Sequence, residues 1–117
     1  MTVAQALKLA LALPNVEKGT AYGAPAVKTG GQMFACKAIN KAVEPNTLAV
    51  RLDFDDRDAL VAEAPDTYYL KEHYVSYPCV LVRLDKVHPD AMRDLRAAGH
   101  KFVTSGQRAR KRPASRR

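Results

Sequence analysis

The segment HYVSYPCVLVRLDKV, residues 73–87, does most to decide the fold of this chain. Residues 76–78, Ser-Tyr-Pro, have the composition of a turn. The run CVLVRLD that follows, residues 79–85, is apolar enough to be a central strand of a sheet. A second segment, GTAYGAPAVK at residues 19–28, leads into another extended run. Both segments predict a protein built around a sheet.

Working outward from these segments, apolar periodicity and turn residues predict the remaining elements. The predicted order is a helix, three strands, a helix, two strands and a helix. Strands joined by short turns indicate antiparallel pairing, so we expect an α+β fold, α-β(3)-α-β(2)-α, with helices mainly on one face of an antiparallel sheet. The elements are a helix over 2–13, strands on either side of Gly30-Gly31, a strand over 47–54, a helix from Asp55 or Asp56 to about Ala64, short strands over 67–70 and 79–85, and a helix from Pro89 to Val103.

The size and composition of the chain are those of one globular domain. It has 117 residues, enough to bury a core without disulfide or metal support. No apolar run approaches the length of a membrane span, and Lys8 interrupts the apolar start, which argues against a signal peptide. Cys36 and Cys79 lack CxxC spacing and lie in apolar strand patterns, so we expect buried, reduced thiols. These features predict a cytoplasmic protein that does not enter a membrane.

Positive charge is concentrated at the C-terminus. The net charge is +7, and after Val103 the chain contains six cations and no acid. The preceding part is almost neutral. We therefore divide the chain into a compact domain over 1–103 and a basic, flexible tail over 104–117, whose composition cannot bury enough apolar surface to order itself. The six cations of the tail are Arg108, Arg110, Lys111, Arg112, Arg116 and Arg117.

Two longer blocks, LALPNVEKGTAYGAPAVK at residues 11–28 and DFDDRDALVAEAPDTYYLKEHYVSYPCVLVRLDKVHPD at residues 53–90, resemble the MmcQ/YjbR family of small bacterial proteins. The resemblance covers about residues 5–103. It implies the α-β(3)-α-β(2)-α order, a fold similar to that of type III secretion chaperones, and DNA binding through wing-like hairpins. Val27 stands where the family tends to have Phe, and Cys79 where it often has Trp. The basic tail lies outside the family pattern.

Alternation along the strands predicts a second basic surface, on the polar face of the sheet. Tyrosines on the adjoining loops, Tyr22, Tyr74 and Tyr77, would let this face meet phosphates and stack bases. The alternative is a solvated face on which Arg51 and Arg83 pair with Asp53 and Asp85 across strands. The four cations predicted on this face are Lys28, Lys37, Arg51 and Arg83.

A small polar pocket formed by Tyr22, His73 and Tyr74 is a further hypothesis, with structural hydrogen bonding as the alternative role for His73. The sequence contains no nucleophile elbow, phosphate loop or metal-binding spacing. It therefore predicts no catalytic residue, metal or cofactor.

The function predicted from these features is weak, largely sequence-tolerant nucleic-acid binding. Six cations in one segment attract a polyanion whatever its sequence, and no helix-turn-helix, zinc-finger or RRM signature indicates specific recognition. Two alternatives stay open. One is a chaperone-like module that binds a protein client or forms a homodimer through an exposed sheet or helix face, and the other is an enzyme of unknown reaction.

Overall fold

The computed structural model of the protein describes the backbone of residues 1–40 and 42–111, and the side chains of residues 1–40 and 42–106. It contains one antiparallel sheet and four helices within these ranges. The elements in chain order are α1 Val3–Leu11, β1 Val16–Ala21, β2 Ala24–Thr29, β3 Gln32–Lys37, β4 Thr47–Arg51, α2 Phe54–Glu63, β5 Tyr68–Tyr69, α3 Glu72–Val75, β6 Cys79–Arg83 and α4 Pro89–Lys111.

The six strands lie in the order β1-β2-β3-β4-β6-β5, and every pair is antiparallel. Two-residue turns close the first two hairpins, with φ of 54° and 78° at Tyr22-Gly23 and of 59° and 81° at Gly30-Gly31. Positive φ at both central residues is the type I′ geometry, whose twist matches that of the paired strands. The hairpin predicted at Gly30-Gly31 and the interior position predicted for β6 are both confirmed.

The α+β class and the antiparallel sheet are also confirmed, but the element order contains two additions. Strand β1 was expected only as extended chain, and the short helix α3 was expected as a loop. The strand predicted over 47–54 ends at Arg51, because Asp53 rather than Asp55 or Asp56 caps α2 by accepting the backbone N–H of Asp56 at 2.8 Å. The observed order is therefore α-β(4)-α-β-α-β-α.

The main core lies between one face of the sheet and helices α1, α2 and α4. Phe34, Leu48, Val50, Val80 and Met92 are fully buried there. These apolar side chains supply the burial that stabilises the domain. The other face has a smaller apolar cluster, against which Tyr74 of α3 packs. Its buried members are Ala26, Cys36, Ala49, Tyr69 and Leu81.

Helix α4 approaches the sheet most closely at Gly99. A Cβ at this position would lie 2.9 Å from the backbone oxygen of Arg51 and 2.9 Å from Cγ1 of Val50. Glycine is therefore required by the close contact between the helix and β4, although it lowers helix propensity. This contact sets how α4 lies over the end of the strand.

Helix α4 does not end at the boundary predicted between a compact domain and a flexible tail. It continues past Val103 to Lys111. The run Gln-Arg-Ala-Arg-Lys at residues 107–111 consists of strong helix formers, which favours continuation of the helix. Residues 112–117 lie outside the described residues. In the part of the chain that is described, no helix is long and apolar enough to cross a membrane.

Candidate nucleic-acid interface

Arg83, one of the four sheet cations predicted to meet phosphates, is engaged by groups of the protein itself. Its guanidinium donates to both carboxylate oxygens of Glu44 at 2.7 to 3.1 Å. It also donates to the carbonyl oxygens of Pro65 and Asp66 at 2.9 and 3.1 Å, and lies 4.1 Å from the ring centre of Tyr69. The hydrogen bonds from Arg83 lower the pKa of Glu44 and raise the pKa of Arg83. Arg83 therefore ties two loops to the end of strand β6, and its charge is compensated.

Lys37 lies on the face of the sheet that the helices cover, so its predicted placement beside Lys28 was wrong. A register shift puts Val27 opposite Ala35 and Lys28 opposite Met33, which leaves Phe34 as an extra residue in β3. One extra residue reverses the alternation of side chains beyond it. Lys37 is consequently opposite the buried core residue Leu48, although its own side chain is exposed at the end of the strand.

The other two sheet cations lie at different places on the molecule. The aliphatic stem of Lys28 covers Gly19 of β1, since a Cβ on that glycine would be 3.1 Å from two of its methylene carbons. Arg51 is the last residue of β4, and its guanidinium carbon lies 6.0 Å from the ring centre of Phe102 on α4. The four cations therefore do not form one basic face.

The three residues of the predicted polar pocket lie at opposite edges of the sheet. Tyr22 occupies the turn between β1 and β2 and is 86% exposed. His73 and Tyr74 belong to α3, which joins β5 to β6 at the other edge. The ring of His73 contacts the rings of Tyr74 and Tyr77, with centres 5.0 and 5.9 Å apart. The structure therefore brings His73 and Tyr74 together, without Tyr22.

Both cysteines lie on the sheet face that Tyr74 covers. Burial and the nearby Cys79 raise the pKa of Cys36 to about 11, and burial raises the pKa of Cys79. Burial also raises the pKa of the Tyr74 hydroxyl. The cysteines lie in β3 and β6, with β4 between them, so two strand spacings of about 4.8 Å separate them. That exceeds the roughly 7 Å limit for a disulfide, and protonated thiols are poor nucleophiles.

A groove with a volume of about 670 Å³ lies beside the C-terminal half of α4, and we call it the α4 groove. Its other wall is the end of β4 with the beginning of α2. It combines two cations, two carboxylates and one aromatic ring with an apolar floor. The lining residues are Gln32, Arg51, Leu52, Asp53, Asp56, Ala98, Lys101, Phe102, Val103, Ser105 and Gly106.

Local structure positions each charged group of the α4 groove. Asp53 is fixed as the N-cap of α2, and Asp56 follows in the first turn, where acidic side chains are favoured by the helix dipole. Arg51 is fixed by the contact of its backbone with Gly99. Lys101 is exposed on α4, one residue from the half-buried Phe102. The groove therefore joins residues of β4, α2 and α4, together with Gln32 of β3.

In the part of α4 that continues beyond the α4 groove, all charged residues are cations. Asp94 is the last acidic residue of the chain, and every charged residue after it is a cation. The backbone at Arg108, Arg110 and Lys111 belongs to α4, so these cations are carried on helix rather than on flexible chain. Arg112, Arg116 and Arg117 lie outside the described residues. Cations near a helix C-terminus are also stabilised by the helix dipole.

Sequence reasoning missed the α4 groove. Lys101 and Phe102 entered the sequence analysis only as part of the helix predicted from Pro89 to Val103, and Asp53 only as an outward strand residue that could pair with the sheet cations. A signal existed in the N-cap pattern at Asp53, which places a helix start next to the end of a strand. No pattern in the sequence shows that α4 crosses this point. In residues 1–40 and 42–111, no group of three His, Cys, Asp or Glu side chains is arranged to hold a metal.

Comparison with known proteins supplies a family and a fold. A family model described as YjbR matches residues 11–102. No curated protein matches the chain. The crystal structure of Deinococcus radiodurans protein DR2400, which carries a DUF419 domain, is similar with a TM-score of 0.73 and 20% sequence identity, over 91% of this chain and 80% of that one. At this identity the structural likeness shows a shared fold.

Proposed function

This chain belongs to the YjbR family, and we propose that it is a nucleic-acid-binding protein whose affinity comes from the basic C-terminal half of α4 and the residues that follow it. The observation that carries the proposal is the separation of charge along the chain. All twelve acidic residues lie at or before Asp94, whereas six of the nineteen Lys and Arg residues follow Val103. The C-terminal segment after Asp94 is therefore the part of the sequence where cations could attract a polyanion without nearby carboxylates in the chain.

The helical backbone supports this proposal. Val103 is the last buried residue of α4 among those whose side chains are described, and the helix backbone continues from it to Lys111. At a rise of 1.5 Å per residue, that segment projects about 12 Å beyond the core. Cations on such an arm can reach phosphates without a clash between the nucleic acid and the sheet. Binding of this type releases counterions and depends little on base sequence.

In this proposal the sheet supplies fewer cations for nucleic-acid binding than the sequence predicted. Arg83 is paired with Glu44, and Lys28 and Lys37 lie on different faces. Arg51 remains a candidate because it lines the α4 groove near Lys101. A nucleic acid that follows α4 would therefore meet Arg51 and Lys101 before it reaches the basic end of the helix. A cytoplasmic location is part of the proposal, since it would give the protein access to nucleic acid and keep its thiols reduced.

The experiment that tests the proposal compares two full-length variants of equal net charge. In the first, Arg112, Arg116 and Arg117 are replaced by Gln. In the second, the exposed cations Lys8, Lys18 and Lys86, which lie outside α4, are replaced by Gln. Both variants have a net charge of +4, three less than the +7 of the natural chain. Substitution avoids a truncation at Val103, which would cut α4 through the groove.

Affinity for a random 20-base-pair DNA duplex is measured by fluorescence anisotropy at several salt concentrations. If all six terminal cations engage, they contribute about −5 to the slope of log K against log salt. We expect the terminal variant to lose up to about 2.7 of this slope, at about 0.9 per cation, and the control to keep the natural slope. Equal loss in both variants would indicate non-directional charge attraction, and an unchanged slope in the terminal variant would refute the proposal.

A protein-binding role is the second candidate, and one surface favours it. Phe54, Val75 and Tyr77 are 44%, 51% and 54% exposed. They surround Arg57, which donates to the backbone of the loop and lies 4.7 Å from the Phe54 ring centre. Exposed apolar side chains that are gathered in one place are typical of interaction surfaces. A stable dimer in sedimentation equilibrium that the Tyr77→Ser variant abolishes would support this role.

A further inference from the structure

The α4 groove has features that a site for phosphates alone does not need. Two carboxylates, Asp53 and Asp56, form one wall opposite Lys101, and the half-buried ring of Phe102 faces the same space. Carboxylates repel a phosphate backbone, so electrostatic attraction does not account for this wall. An aromatic ring and hydrogen-bond acceptors together are instead what a nucleobase requires, because a base has an apolar face and polar edges.

The spacing between Arg51 and Phe102 is about 1 Å less than a planar ring system stacked between them would need. The guanidinium carbon lies 6.0 Å from the ring centre, which is wider than a direct contact of 3.5 to 4.0 Å. A base stacked between the two groups needs about 7 Å, twice the van der Waals separation of carbon atoms. Arg51 would therefore have to move by about 1 Å to stack on one face of a base while Phe102 covers the other. Arginine and aromatic side chains are the groups on which proteins stack unpaired bases.

The carboxylates favour bases that present N–H donors, because a carboxylate can only accept hydrogen bonds. An ionised carboxylate only accepts hydrogen bonds, and its two oxygens can take two parallel N–H donors. Guanine presents two adjacent donors, its ring N1–H and its 2-amino group, on the Watson–Crick edge. Thymine presents one N–H between two carbonyl oxygens, which a carboxylate repels. In a duplex this edge of guanine is occupied by cytosine, so only an unpaired guanine fits.

The assignment of Asp56 as the acceptor follows from the capping geometry. Asp53 accepts the backbone N–H of Asp56 with one oxygen at 2.8 Å, which fixes its orientation as the N-cap of α2. Asp56 lies in the first turn of the helix with its side chain exposed. Lys101, on the opposite wall, can reach the phosphate of the bound nucleotide. The remaining strand can then follow α4 toward its basic end.

We infer that the α4 groove binds an unpaired guanine of single-stranded nucleic acid, stacked on Phe102 and hydrogen-bonded to Asp56. The inference rests on the proposed nucleic-acid binding and adds a preference for base and strandedness to it. The basic end of α4 supplies most of the affinity, and the groove supplies the preference. A protein with only the basic helix end would bind all single strands of equal length alike.

The test uses the full-length protein and three labelled 12-nucleotide DNA strands in fluorescence anisotropy. The first is oligothymidine, the second has guanine at three separated positions, and the third has inosine at those positions. Inosine lacks only the 2-amino group. We expect the guanine strand to bind about tenfold more tightly than the thymidine strand, with the inosine strand close to thymidine, which is the discrimination expected of a bidentate pair.

Variants of α2 identify the acceptor. Asp56→Asn should abolish the preference for guanine while the thymidine strand binds no more weakly, because the substitution removes a negative charge. Asp55→Asn is the matched control, since Asp55 is in the same helical turn but does not line the groove. It should keep the preference. Circular dichroism spectra check that both variants fold.

The outcomes separate this inference from the proposed function. Equal binding of the three strands by the natural protein, with the salt slope still dependent on the terminal arginines, would overturn the inference and leave nucleic-acid binding intact. A guanine preference that persists in Asp56→Asn would also overturn it. Failure to bind any strand or duplex would overturn both.

Discussion

Replacement of Arg57 by methionine should strongly destabilise the fold, because this buried arginine connects α2 to the end of α3 and to the segment that follows it. Its side chain is 7% exposed. It donates hydrogen bonds to the carbonyl oxygens of Val75 and Tyr77 at 2.8 and 3.0 Å and to the carboxylate of Asp58 at 2.9 Å. Methionine has a similar length and an apolar surface, so the substitution removes the donors while it leaves the space largely filled.

The magnitude follows from the two carbonyl bonds. Hydrogen bonds to charged groups contribute about 1.5 to 3 kcal/mol each to stability. Val75 and Tyr77 are half-exposed, so water can reach their carbonyl groups in the variant, and the lower value applies. The bond to Asp58, whose side chain is 62% exposed, adds little. The expected loss is therefore about 3 kcal/mol, or about 12 °C in melting temperature for a domain of this size.

Urea unfolding followed by circular dichroism measures this loss, with the midpoint shifted and the slope with denaturant unchanged. Asp58→Asn is the control, because it removes only the exposed ion pair and should cost less than about 1 kcal/mol. Arg57→Lys should fall between the two, because an ammonium group keeps N–H donors but ends short of the position of Nη1, the nitrogen that donates to both carbonyls. If Arg57→Met unfolds at the same urea concentration as the natural protein, the buried hydrogen bonds do not hold this loop and the reasoning is refuted.

Three further predictions concern packing, thiol reactivity and the pH dependence of stability. Gly99→Ala should destabilise the domain by about 1 to 2 kcal/mol in the urea assay. Steric overlap of the new Cβ with the Arg51 backbone and with Val50 should outweigh a gain of about 1 kcal/mol in helix propensity. A variant more stable than the natural protein would show that α4 can shift at no cost. Cys36, whose pKa is raised to about 11, should react with iodoacetamide at pH 8 roughly 100-fold more slowly than a free thiol of ordinary pKa. The pKa of Cys36 is higher in the folded than in the unfolded protein, so the protonated thiol contributes stability that is fully present below pH 9. This stability is lost as the pH rises toward 11. The urea concentration at the midpoint of unfolding should therefore decrease between pH 9 and pH 11. A smaller fall of the midpoint in Cys36→Ala than in the natural protein would identify Cys36 as a titrating group, whereas an equal fall would assign the pH dependence to other groups with raised pKa, such as Cys79 and Tyr74.

Much of the fold could be predicted because local signals agreed with the final packing. Gly30-Gly31 adopts the turn that its composition indicates, and Pro89 opens α4. Strand β1 was missed because its sequence, VEKGTA, lies at the sheet edge and lacks an apolar alternation. Its turn at Tyr22-Gly23 also departs from the common Asn-Gly signal, although tyrosine takes φ of 54° there.

The candidate site was less predictable, because it depends on contacts between distant segments. Alternation correctly put Arg83 outside the main core, but its pairing with Glu44 joins residues that are far apart in the chain. The bulge opposite Val27 moved Lys37 to the other face, and no single-sequence pattern shows the position of a bulge. The α4 groove likewise forms only where α4 crosses the end of β4, near Arg51.

The continuation of α4 to Lys111 changes how the terminal cations can act. In a flexible tail each residue must be ordered on binding, at about 1 to 2 kcal/mol of backbone entropy. For Arg108, Arg110 and Lys111 the fold has already fixed the backbone, so contacts with phosphates meet a smaller entropic cost. The same helix carries Lys101 and Phe102 in the groove. Under the proposed function, electrostatic attraction and base contact would therefore be joined by one helix, and a strand held by the first would be guided along α4 to the second.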